Sequence, residues 1–150
     1  MRLALVYLHV VAATIWVGGL AYQTHVLLPP ARRGAVAPFA ASARRARPLT
    51  WAAIAVVVLT GFYNVTQLGS LERVMDSGAG LMLTAKLILV ILAVALASQR
   101  DFAQVTLLNA AVASNDDPGP ALRSITRLDR IVLLLTLIVI YLGLAVSRSQ

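Results

Sequence analysis

The chain has 150 residues, a length that fits one domain and leaves little room for a second, independently folded catalytic unit. Apolar residues make up 59% of it and charged residues 13%, so polar groups cannot cover its surface and lipid must serve as part of its solvent. The net charge of +7 does not make it a nucleic-acid binder, because the arginines lie in short segments between long apolar runs without interleaved aromatics, and the lack of cysteine excludes disulfides, thiolate metal sites and thiol nucleophiles.

Four apolar stretches approach the ~20 residues that cross a ~30 Å hydrocarbon core as helix. The expected fold is therefore an all-α integral membrane protein, a four-transmembrane-helix bundle of up-down topology forming a single domain over residues 1–150. The first stretch, residues 3–28, follows Arg2 but is too long for a signal peptide and lacks a small-x-small cleavage site, so it reads as a retained span. Its His9, Ala13, Trp16, Leu20 and Gln23 fall on one face at 100° per residue, taken as the inward face. His25 stands about 160° away from His9 and shares no site with it. Gly18 and Gly19 read as a point of close helix packing near the site.

The first loop carries Arg32, Arg33, Arg44, Arg45 and Arg47, with Pro38 placed to open a helical extension and Pro48 to kink it. The second span, residues 49–68, aligns Thr60, Asn64 and Gln67. In the following loop Arg73 is offset by Glu72 and Asp76, while Leu71, Val74 and Met75 hint at a short turn on the membrane surface. The third span, residues 80–97, aligns Met82, Lys86, Ala93 and Ala97; Phe102, Val105 and Val112 then continue at helical spacing as far as the turn at residues 115–120. The fourth, residues 131–146, is preceded by Asp129, in line with Thr136 and Gly143 and read as an ion pair with Arg127 and Arg130.

Lys and Arg near span ends stay on the cytoplasmic side, so the loops holding Arg44 and Arg45, and Arg100, Arg123, Arg127 and Arg130, are expected inside and both termini outside. Counting ~1.5 Å per residue, His9, Lys86, Asn64 and Tyr141 come to a common depth, roughly 9 Å from the outer surface, as one polar group from each helix. Tyr141 stands off the inward line of its helix. Lys86 is the only lysine among the 13 basic residues, and it lies within a span. Met1, Met75 and Met82 fall on the same outer side as His9; imidazole with thioether is a donor set that favours Cu(I) and that also holds haem iron. Plainer roles stand beside these: a helix-to-helix hydrogen bond for His9, snorkelling for Lys86, apolar filling for the methionines, and packing for Trp16.

The run His9-Val10-Val11-Ala12-Ala13-Thr14-Ile15-Trp16-Val17-Gly18-Gly19 resembles the opening helix of the copper resistance D (CopD-like) membrane family. Arg44-Arg45 leading to Thr60-Gly61, Lys86-Leu87 leading to Arg100, and Asp129 before the last span extend the resemblance over almost the whole chain. It implies a non-enzymatic copper-handling protein of a bacterial-type cytoplasmic membrane, with His9 and Met82 as candidate metal ligands and a periplasmic copper-binding protein or a larger membrane complex as partner. A more distant similarity to HemJ-type protoporphyrinogen oxidases implies haem b instead, with His9 on the iron and Lys86 on a propionate. A structural or assembly subunit of a larger membrane complex is the third expectation.

Overall fold

Backbone N–H and C=O groups in hydrocarbon must be satisfied within the chain, and long runs of Leu, Val, Ile and Ala do so as helices. In the computed structural model the described residues, 2–66 and 78–148, form four helical rods, with no strand among them. The first rod joins α1 (Arg2–Tyr22), a π-helical turn (Gln23–Leu27) and α2 (Leu28–Arg32). Pro29 and Pro30 have no N–H to donate to the preceding turn, and just before them the Leu28 N–H reaches the Gln23 carbonyl, five residues back.

Gly34, at φ 117°, turns the chain into the second rod, α3 (Val36–Thr66), which runs on through Pro48. The third rod joins α4 (Gly78–Ser98), a second π-helical turn (Gln99–Gln104) in which the Val105 N–H bonds the Arg100 carbonyl, and α5 (Val105–Ser114). Asn115 closes α5 in the left-handed conformation, and the Asp117 carboxylate accepts the Gly119 N–H at 2.9 Å to open α6 (Gly119–Arg148), the fourth rod. The helical extension beyond the third span is thus present, ending at the turn where it was expected. Gln67 and the turn proposed around Leu71, Val74 and Met75 lie outside the described residues.

Three helices, Leu3–Arg32, Val36–Thr66 and Gly80–Ser114, are long and apolar enough to cross a membrane, and the apolar half of α6 lies beside them. Large apolar side chains such as Leu59, Phe62 and Leu81 face outward, whereas Arg100, Asp101 and Asp129 are buried. That arrangement suits lipid, and the protein is multi-pass in the membrane.

α1 packs along α3 and α4 along α6, as antiparallel pairs. The pairs are joined by two apolar layers. At the end that carries most of the arginines, Leu28, Phe39, Val105, Leu108 and Ile125 interlock; one layer further along, Trp16 meets Ile54, Val132 and the alanines Ala53, Ala93 and Ala97. Small alanine side chains let the helix backbones come close where apolar burial alone gives no advantage over lipid.

Candidate functional site

At the end opposite the arginines, α1 and α3 are tied through His9. Its Nδ1 lies 2.8 Å from the Thr60 hydroxyl, which itself donates to the Val56 carbonyl at 2.5 Å. When the Thr60 hydroxyl gives its one proton to the Val56 carbonyl, the imidazole donates to it from Nδ1, and that tautomer carries its lone pair on Nε2; in the other tautomer the hydroxyl donates to Nδ1. Gly61 makes room for the ring: a Cβ there would lie 3.3 Å from His9 Cε1.

Lys86, on α4, reaches α6, where a Cβ at Gly143 would lie 3.2 Å from its Nζ. It makes no ion pair or hydrogen bond among the described residues, and its charge acts on the His9 imidazole. Thus His9 and Lys86 lie within electrostatic reach, each held against a glycine of a neighbouring rod. Asn64 is half-buried on α3 without a hydrogen bond among the described residues. Met82 is 44% exposed one helical turn from Lys86, and Tyr141 is 70% exposed on the outside of α6.

Trp16 is buried in the apolar layer below this region. Gly18 and Gly19 do not serve the packing expected of them: both are exposed, and a Cβ at either would meet nothing within 4 Å. The inward face of α1 runs through Ala12, Trp16 and Gln23, and Gly18 lies about 200° around the helix from Trp16. His25 is exposed near the other end and bonds the Ala21 carbonyl of its own rod, well away from His9.

All four rods contribute polar groups to a second constellation, at the arginine-rich end. Arg100 is 5% exposed and uses its whole guanidinium. Nε and one terminal nitrogen reach the two oxygens of Asp129 at 2.8 and 3.5 Å, the other terminal nitrogen bonds Asp101 at 2.6 Å, and Gln23 accepts a fourth contact at 2.6 Å. Trp51 Nε1 donates to the remaining oxygen of Asp101 at 3.0 Å, and Arg47 donates to its carbonyl while lying over the Phe102 ring.

This constellation corrects the expected pairing of Asp129. Its partner is Arg100, because Arg127 and Arg130 project 100–200° away around α6 and stay exposed. The two π-helical turns carry most of these groups. In each, two successive residues, Gln23-Thr24 and Arg100-Asp101, are buried together. The sequence signal for this cluster is the Arg100-Asp101 pair two residues beyond the end of an apolar run, where loop charge alone places arginine at the surface.

Residues 40–146 match the family model for Copper resistance protein D. The chain belongs to the copper resistance protein D family. No curated protein and no solved structure matches it. In this family member the matched residues include Thr60, Lys86, Arg100, Asp101 and Asp129, and leave out α1 with His9.

As a donor set for copper the far-end site is sparse. Among the described residues no group of three His, Cys, Asp or Glu side chains could hold a metal ion, and Met82, the one methionine described, is 44% exposed on α4.

Proposed function

We propose that this membrane protein handles copper as a substrate, contacting Cu(I) through His9 at the end opposite the arginines and passing it on without chemical change. The observation that carries this reading is the Thr60 hydroxyl beneath His9. By accepting a hydrogen bond from Nδ1 it orients the ring and leaves the Nε2 lone pair for a metal, as the hydrogen-bond partner behind a metal-ligating histidine does. Met82 supplies a thioether by rotating in from the lipid-facing side of α4. Lys86 keeps a positive charge close by, which disfavours long residence of a cation and favours transfer.

The grouping of exposed arginines supports an orientation with that end in the cytoplasm and both termini outside, in a bacterial-type cytoplasmic membrane. His9 would then receive copper from the outer side, from a soluble copper-binding protein or a neighbouring subunit.

Titration of the purified protein with Cu(I), in competition with a chromophoric chelator, tests the proposal. One equivalent is expected to bind, and His9→Ala is expected to abolish it. Equal binding by wild type and His9→Ala, or no binding by either, would overturn it.

A further inference from the structure

Between the first rod and α6, at the arginine-rich end, runs a groove of about 450 Å³ that continues into a second hollow of about 620 Å³; the two share Arg32, Thr126 and Arg130. Along α6, Arg123, Arg127, Arg130, Leu134 and Leu137 follow one another at three- or four-residue steps, so they form one stripe, cationic at the start of the helix and apolar further along. Arg32 faces that stripe from α2.

Arg32, Arg127 and Arg130 have no carboxylate among the residues lining this groove. Arg32, Arg123, Arg127 and Arg130 are all exposed, none makes an ion pair or hydrogen bond among the described residues, and no carboxylate lines either hollow. The nearest acid, Asp117, is turned to the Gly119 N–H at the outer edge, beside Arg123. Arg100, by contrast, is fully engaged inside the protein, and Arg47 bonds the Asp101 carbonyl through one terminal nitrogen while its Nε is buried without a partner among the described residues. The same stripe then exposes Leu134 and Leu137 by 60% and 54%.

We infer that this groove is a binding site for an anionic phospholipid, its phosphate held by Arg32, Arg127 and Arg130 and an acyl chain lying along Leu134 and Leu137. Guanidinium forks match phosphate oxygens in pairs, and basic hollows between transmembrane helices are suited to such headgroups. A soluble phosphate would use the arginines and leave the leucine stripe bare; a phospholipid covers both. Three guanidiniums over two joined hollows favour a lipid with two phosphates, of the cardiolipin type, over one with a single phosphate.

The test is native mass spectrometry of the full-length protein in detergent, titrated with cardiolipin, phosphatidylglycerol or phosphatidylcholine. Retention is expected in that order, with Arg127→Gln/Arg130→Gln lowering cardiolipin affinity about 25-fold, at about fivefold per arginine. Arg44→Gln/Arg45→Gln, which removes two exposed arginines from α3 at the same end, is expected to leave it within about twofold. Equal retention of phosphatidylcholine, or an equal loss in the Arg44/Arg45 variant, would overturn the site, the latter showing only a diffuse surface charge. Displacement of cardiolipin by millimolar inorganic phosphate would overturn the lipid in favour of a soluble anion. If the Arg127/Arg130 variant does not fold, the order of lipids on the wild type and the phosphate competition still decide.

Discussion

His9 Nδ1 and Thr60 Oγ1 lie 2.8 Å apart, and the Thr60 hydroxyl also lies 2.5 Å from the Val56 carbonyl. This one contact ties α1 to α3, and a Thr60 proton given to Val56 favours the Nδ1–H tautomer of the histidine. Thr60→Val removes the acceptor while keeping the shape of the side chain. It is expected to lower Cu(I) affinity about 10-fold or more, as loss of the hydrogen-bond partner behind a metal ligand does, while Thr60→Ser retains it. Chelator competition on the three proteins measures the difference; equal affinities would mean that Thr60 only bonds its own helix.

Lys86 carries a positive charge within electrostatic reach of His9. Lys86→Met removes the charge and supplies a thioether, so Cu(I) affinity is expected to stay level or to rise, and the rate of copper release to fall. Stopped-flow transfer to a chelator reads the release rate. A marked loss of affinity in Lys86→Met would place the lysine among the groups that hold the ligand, as an ammonium beside an anionic cofactor would.

Arg100 and Asp129 form a buried pair, and removing one member leaves the other charge without compensation. Arg100→Met and Asp129→Leu are each expected to destabilise the protein by about 3–5 kcal/mol, and the double variant by less than either alone. Thermal unfolding in detergent measures this. Additive losses would mean that the two side chains act through other partners, Asp101 and Gln23 first.

The exposed arginines predict which side each end faces. Reporter fusions at Gln150 are expected to report the outer side, and fusions near Arg44 or Asp116 the cytoplasm. The opposite pattern would put His9 on the cytoplasmic side and require copper to reach it from within the cell.

The helices themselves were legible from the chain, because an apolar run in lipid has one way to satisfy its backbone and Lys86, Asp129 and the arginines mark where such runs are interrupted. Periodicity also identified the buried line Asp129, Thr136 and the inward setting of Trp16, since regular helix turns by 100° per residue. What periodicity cannot supply is the choice of partner between helices. Arg100 meets Gln23 across 77 positions of sequence and prefers Asp129 over the acid's own neighbours, and only the packing of four rods brings those groups together. Nor can a count at 100° per residue anticipate the two π-helical turns, each of which shifts the ladder to a five-residue step and so moves every later residue of the rod off the regular count. The same holds for His9: its place in the helix could be counted, but its hydrogen bond to a threonine 51 residues away could not.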